Sequence, residues 1–118
     1  MIRIIKGGTK EFFVELFDED DRPFDLTAFD EFKVCFPNDG SPVEVSEVAN
    51  ANGSVVALEG NALLGVLKVT LNGVDSATLE VDERTPLDIE LNKSGGGADV
   101  PIRERFDNAV NVIDSSCG

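Results

Sequence analysis

Residues 66–71 read VLKVTL, and this stretch decides the class of fold. In it, Leu67, Val69 and Leu71 alternate with a lysine and a threonine. A period of two residues is typical of a strand that buries one face. No segment of the sequence keeps the period of 3.6 residues that an amphipathic helix shows. The sequence therefore predicts a domain built almost wholly of β-strands.

The same alternation recurs along the rest of the chain, and turn residues separate the segments, most clearly from Pro37 to Pro42. Seven or eight short strands in this arrangement indicate a β-sandwich or a small barrel. The predicted strands lie at residues 10–17, 31–36, 43–48, 54–58, 66–71 and 87–91, with a short extended piece at 24–26. The last predicted strand comprises residues 100–105 and 109–113, with a bend at Asp107-Asn108.

The alternation also predicts which side chains face the core, because residues two apart on a strand share a face. The predicted core residues are Phe12, Val14, Leu16, Leu26, Phe32, Val34, Phe36, Leu67, Val69, Leu71, Ile89 and Leu91.

One segment has two interpretations. Asn72-Gly73 follows an alternating strand, which usually signals a tight hairpin. The residues from Asp75 to Leu79 favour instead a short helical turn near 74–79 with Asp75 as its N-cap. A short strand over Thr78–Val81 remains the alternative.

The length of 118 residues fits one domain, which we place at residues 1–113, followed by a flexible tail at 114–118. No apolar stretch is long enough to span a membrane, and residues 1–8 lack the apolar core of a secretory signal. Cys35 and Cys117 lack the spacing of a metal site or a disulfide framework, so we expect two free thiols in a reducing compartment.

The formal charge of −13 argues against nucleic acid and anionic membranes as partners. The ten basic residues are scattered and form no run that would escape this argument. We expect protein partners, either copies of the chain or its neighbours in an assembly.

The composition also argues against catalysis. The chain has no histidine, which removes the commonest general base and most transition-metal sites. We therefore predict no enzyme, no catalytic residues, no cofactor and no metal site. A small hydrolase that uses two carboxylates is a distant alternative. The acidic run Asp18–Asp21 lacks the glycine and glutamate of a helix-loop-helix calcium loop, and we expect it to bind no calcium tightly.

The first long strand is unusual because both of its faces are apolar. Phe13 and Phe17 lie opposite the predicted core face, although a strand of a two-layer sandwich needs only one apolar face. Either a loop, a terminal segment or another chain must cover them. We expect the segment around Phe24 and Phe29 to do so in the isolated domain, and we predict Phe13 and Phe17 as a possible interaction surface.

Several motifs together resemble one known family. Gly7-Gly8-Thr9 precedes the first long strand, which leads through Asp20-Asp21-Arg22-Pro23 to Asp25-Leu26-Thr27 and then to the strand Phe32–Phe36. A later strand, the turn Asp75–Leu79 and the strand Leu87–Leu91 complete the pattern. This order is similar to the immunoglobulin-like N-terminal domain of phage baseplate upper proteins and related tail-associated structural proteins. The turn departs from the family at Asp21, where glycine is usual.

The resemblance implies an immunoglobulin-like antiparallel β-sandwich that serves as a structural part of a virion tail or baseplate and carries no catalytic residues. Such a protein is cytoplasmic during synthesis and then part of the tail. Within it, Asp25 and Thr27 can bond local backbone groups at a strand crossover, with Leu26 as a buried anchor between them. The alternative function is a stand-alone immunoglobulin-like binding or adhesion module of a bacterial surface system.

Overall fold

The computed structural model describes residues 2–37, 42–79, 82–92 and 102–113 of the chain. Eight strands lie in these ranges, joined by one 3₁₀ turn at Ala62–Leu64 and one helical turn, α1, at Gly73–Ser76. The strands are β1 Ile2–Ile5, β2 Lys10–Glu15, β3 Glu31–Phe36, β4 Val43–Ser46, β5 Val55–Leu58, β6 Val66–Leu71, β7 Asp82–Asn92 and β8 Ile102–Ile113.

The strands form two sheets that pack as a sandwich. The larger sheet has the order β1-β8-β7-β3-β4, and the smaller has the order β2-β6-β5. The predicted all-β sandwich of seven or eight strands is therefore confirmed. The expectation of purely antiparallel sheets is wrong at one edge, because β1 runs parallel to β8. The larger sheet is thus mixed.

The core lies between the sheets, and all twelve side chains predicted to face inward are buried there. The alternation found in the sequence appears directly in the exposure of β6, whose odd-numbered residues are buried while its even-numbered ones are only partly covered. Inward packing explains this result, since burying a Leu, Val or Phe side chain stabilises the fold by roughly 1.5–3 kcal/mol. Phe12 and Phe36 meet edge to face across the core, with ring centroids 6.2 Å apart.

Two local predictions are wrong, those for the N-terminal segment and for Val48. The sequence pattern predicts no strand in the N-terminal segment, yet this segment forms β1, and Ile4 is fully buried. The extended piece at 24–26 belongs to no strand, although Pro23 makes an isolated bridge with Phe17. Val48 does not extend β4 and is one of the most exposed apolar side chains among the described residues.

The long hairpin of β7 and β8 exceeds its predicted length. The bend expected at Asp107-Asn108 corresponds to an irregular register, because a step of two positions in β7, from Thr85 to Leu87, matches a step of four positions in β8, from Val110 to Phe106. Extra residues on one strand of an antiparallel pair form a β-bulge, which bends the strand without ending it. The tail at 114–118, with Cys117, lies outside the described residues.

The helical turn predicted near 74–79 exists, but it begins earlier. Its N-cap is Asn72, whose side chain accepts a hydrogen bond from the Val74 N–H at 3.0 Å. The expectation that Asp75 caps the turn is wrong. Thr78 and Leu79 lie in the turn that follows, while residues 80 and 81 lie outside the described ranges.

Asp75 instead holds together loops from distant parts of the chain. Its carboxylate accepts hydrogen bonds from Asn50 and Asn52, each at 2.8 Å, and from the hydroxyl of Ser54. Burial tends to raise the pKa of Asp75, but these hydrogen bonds outweigh it and lower the pKa below its usual value. The fully buried Ser54 hydroxyl also accepts from the Asn72 N–H at 2.8 Å.

Candidate interaction surface

The two phenylalanines predicted as an interaction surface are both largely exposed. Phe13 keeps 57% of its surface in contact with solvent, and Phe17 keeps 55%. The expectation that the segment around Phe24 and Phe29 covers them is wrong. Those two rings pack against the core and lie 6.1 Å from each other. Phe13 and Phe17 lie four positions apart along the same edge, and exposed apolar surface that is contiguous often marks a binding surface.

Both phenylalanines belong to an unpaired sheet edge. β2 pairs with β6 on one side only, and no further strand lies beyond it in the part of the chain that the structure describes. In an antiparallel strand, the N–H and C=O of one residue point to the same side, and successive residues point to opposite sides. The hydrogen bonds of any one residue therefore fix the directions of all the others.

Leu16 and Asp18 fix these directions for β2 and its continuation. The Leu16 N–H donates to the C=O of Gly65 at 2.8 Å, and the Leu16 C=O accepts from the Phe24 N–H at 2.9 Å. The Asp18 N–H donates to the C=O of Arg22 at 2.8 Å. The even-numbered residues of β2 thus direct their backbone groups toward β6. Beyond β2, Leu16 and Asp18 direct theirs to the same side, where Gly65, Arg22 and Phe24 lie. The odd-numbered residues from Glu11 to Phe17 direct theirs toward the free edge.

An apolar groove of about 180 Å³ lies next to this edge. β2 and the residues after it form one wall, and the inner faces of β7 and β8 form the floor. The groove exists because the sheets are unequal: five strands face three, so a part of the larger sheet has no strand opposite it. Its lining residues are Glu15, Leu16, Phe17, Phe24, Ile89, Leu91, Glu104 and Phe106.

Glu104 occupies a position in this groove that a covered sandwich would give to an apolar residue. It pairs directly with Ile89 across the β7–β8 hairpin, and directly opposed residues share a face of the sheet. Because Ile89 faces the core, Glu104 also lies on the inner side of the sheet. It remains exposed, which shows that the smaller sheet does not cover this part of β8.

Phe13 has a charged neighbour on the outer face of the smaller sheet. It is opposite Lys68 in the register of β2 and β6. The Lys68 ammonium lies 2.8 Å from the Glu11 carboxylate, whose hydrogen bond raises the pKa of Lys68. Exposed pairs of this kind contribute little stability, but they keep the edge soluble, as charged side chains on edge strands commonly do.

The acidic turn after β2 is built by its own first residue. One oxygen of Asp18 accepts hydrogen bonds from the N–H groups of Asp20 at 2.9 Å and Arg22 at 3.0 Å. This explains why the run folds as a tight turn, with Asp21 at a positive φ of 58°. The described residues contain no cluster of three or more metal-ligating side chains.

In the crossover that follows, Asp25 bonds a local backbone group as predicted, whereas the Thr27 hydroxyl bonds the Asp25 side chain. The Asp25 carboxylate accepts from the N–H of Thr27 at 2.9 Å and from its hydroxyl at 2.6 Å. These bonds, the side-chain one foremost, lower the pKa of Asp25. Leu26 between them is fully buried, as expected of an anchor.

A second concavity, of about 400 Å³, lies on the outer face of the larger sheet around Cys35. Burial raises the pKa of the Cys35 thiol, and the charges of Glu44 and Asp88 add to this effect. Asp88 is bound by both nitrogens of the Arg105 fork, at 2.6 and 2.8 Å, and this lowers the pKa of Asp88.

The sequence predicts the two phenylalanines of the surface but not the groove. Glu104 lies in a predicted strand and Phe106 just after it, but neither is predicted to have a functional role, because strand pattern alone does not indicate which strands face each other. The signal present in the sequence is Glu104 itself, a charged residue at an inward-facing position of a strand.

Compared with known protein families and with curated proteins, the chain matches none. Within the described ranges, no helix has the length and apolar character needed to cross a membrane.

Proposed function

We propose that this chain is a non-enzymatic assembly module that acts through protein–protein contacts, of the kind that builds phage or prophage tails and baseplates. One observation supports the binding role most strongly. Two phenylalanine side chains, each more than half exposed, lie along an unpaired strand edge beside an apolar groove. Aromatic side chains are enriched in the energetic centres of interfaces.

The assignment to a tail or baseplate rests on the resemblance of the motifs, over roughly Ile5 to Ile113, to the immunoglobulin-like domains of such proteins. The two-sheet architecture and the anchored Asp25-Leu26-Thr27 crossover are compatible with that resemblance. The charge of −13 disfavours nucleic acid as a partner, which leaves neighbouring tail proteins or further copies of the chain.

Sedimentation velocity of the pure protein, alone and mixed with the products of its neighbouring genes, tests the proposal. We expect a complex with at least one neighbour. Phe13→Ser or Phe17→Ser should lower the affinity of that complex roughly tenfold or more, as truncation of an interface hot spot does. Val48→Ser is the matched control, because Val48 is at least as exposed but lies after β4, away from this edge. A monomer that binds no neighbour, with both phenylalanine variants unchanged, would refute the proposal.

A further inference from the structure

From the geometry of the β2 edge and its groove, we propose that the domain binds an extended segment of another protein, which adds as a fourth strand beside β2. The segment carries apolar and basic side chains in alternation. This inference rests on the proposed function, since it specifies how the same surface binds and which partner chemistry fits it.

The backbone supplies the first argument. The odd-numbered residues from Glu11 to Phe17 direct their N–H and C=O groups away from β6, as the hydrogen bonds of Leu16 and Asp18 require. This edge is about seven residues long and has no partner strand in the described part of the chain. An extended segment can satisfy these groups by strand addition, a recurring mode of peptide recognition.

The groove supplies the second argument. A strand added beside β2 would lie over the part of β8 that the smaller sheet leaves uncovered. Its inward side chains would then enter the space between Leu16 and Phe106. Because side chains alternate along a strand, every second residue of the segment faces the groove and must be partly apolar.

Charge supplies the third argument and selects the partner. Because side chains alternate, the basic residues of the segment lie on the outer face of the smaller sheet, opposite those that enter the groove. There Glu15 is exposed, and the acidic turn Asp18–Asp21 lies at the end of the same edge. A lysine or arginine beside Glu15 would offset its charge. A second copy of the chain fits poorly, because each copy carries a charge of −13.

A synthetic peptide of about seven residues, with lysine alternating with valine and phenylalanine, is a suitable probe for an edge of this length. The control peptide has the same composition with its lysines in one block. NMR titration of the full chain should show saturable binding of the alternating peptide below about 1 mM, and binding of the block peptide at least about tenfold weaker. Equal binding of the two would contradict strand addition, since charge alone would then explain it.

Hydrogen exchange provides a readout that is specific to strand addition. On binding, the amides of Phe13 and Glu15 should become protected at least about tenfold, whereas those of Phe12 and Val14 are already bonded to β6 and should not change. Two peptides N-methylated at complementary alternate residues should differ in affinity, because only one of the two sets of peptide amides faces β2 and donates hydrogen bonds to it. Unchanged exchange at Phe13 and Glu15, or equal effects of both methylation patterns, overturns the proposal.

Glu15→Gln should weaken the binding of the lysine peptide several-fold, and Glu44→Gln, at an exposed position of the larger sheet, is its matched control. A dimer in sedimentation that protects the same amides would show that the occupant is a second copy and would refute the choice of partner. If a neighbouring tail protein binds while Phe13 and Glu15 stay unprotected, the proposed function stands and strand addition fails. Protection of these amides by the peptide, without any complex with a neighbour, would support strand addition and refute the assembly role.

Discussion

Replacement of Ser54 by alanine is the most direct test of how the loops at one end of the sandwich are held. The Ser54 hydroxyl is fully buried, donates to the Asp75 carboxylate and accepts from the Asn72 N–H at 2.8 Å. It therefore links the start of β5 to the start of α1. Alanine removes both hydrogen bonds and introduces no new polar group.

The expected loss in the free energy of unfolding follows from these two hydrogen bonds. A hydrogen bond to a charged group contributes roughly 1.5–3 kcal/mol, and an unsatisfied buried N–H costs roughly 1–3 kcal/mol. Asp75 keeps its hydrogen bonds from Asn50 and Asn52 in the variant, so the loss of its bond from Ser54 costs less than the loss of a sole partner would. We expect Ser54→Ala to reduce the free energy of unfolding by about 2–4 kcal/mol.

Urea denaturation followed by far-ultraviolet circular dichroism suits this measurement, because the chain has no tryptophan or tyrosine for fluorescence. With a urea dependence of about 2 kcal/mol per molar, the middle of the usual range, the midpoint should fall by roughly 1–2 M. Ser46→Ala is the matched control, since the Ser46 hydroxyl bonds only the nearby backbone of Val48 at the surface. A loss below about 0.5 kcal/mol at Ser54, the size of ordinary surface effects, would refute this account of the network.

Other parts of the structure lead to four further expectations. Gly65→Ala should cost about 2–5 kcal/mol in urea denaturation, because Gly65 has φ of 67° and a Cβ there would lie 2.7–2.8 Å from backbone atoms; an unchanged midpoint would contradict this packing. Asp75→Asn should destabilise the protein at neutral pH, and the difference from wild type should close as pH falls. The sign follows from the lowered folded pKa: the contribution of the ionised carboxylate is complete above the unfolded value of 3.8 and is lost below it. A difference in stability between the two proteins that grows as pH falls would refute the stabilising role of the ionised Asp75 carboxylate. Phe32→Ala and Leu71→Ala should each cost about 2–5 kcal/mol, and a loss below about 0.5 kcal/mol at both would mean that the inward face has been misassigned. Calorimetric titration of the Asp18–Asp21 turn with calcium should give no tight binding, and a site of micromolar affinity would contradict the prediction made from its sequence.

The unpaired β2 edge also bears on solubility. Exposed edges promote aggregation, and proteins commonly protect them with charge. Here Lys10, Glu11 and Glu15 lie on the strand itself, and an acidic turn ends it. These charges disfavour pairing with a second acidic copy but leave the edge open to a basic segment, so solubility and the proposed partner choice share one physical cause.

The sequence by itself determined most of the strands and their inward faces. This was possible because alternation is a local property: each apolar residue of β3 or β6 reports its own face without reference to any other strand. The same holds for Asp25 and Thr27, whose hydrogen bonds join residues only two positions apart.

Tertiary structure alone decided the features that depend on distant residues. β1 has only four residues, and it pairs with β8 at the opposite end of the described chain. The burial of Ile4 depends on this pairing. Asp75 is suited to cap a helix, but Asn50, Asn52 and Ser54 engage its carboxylate from a separate loop. The exposure of Phe13 and Phe17 shows that no other described segment covers the outer face of this edge, and the groove beside it follows from the packing of five strands against three. Sequence periodicity describes the faces of one strand at a time, whereas a groove is a relation between sheets.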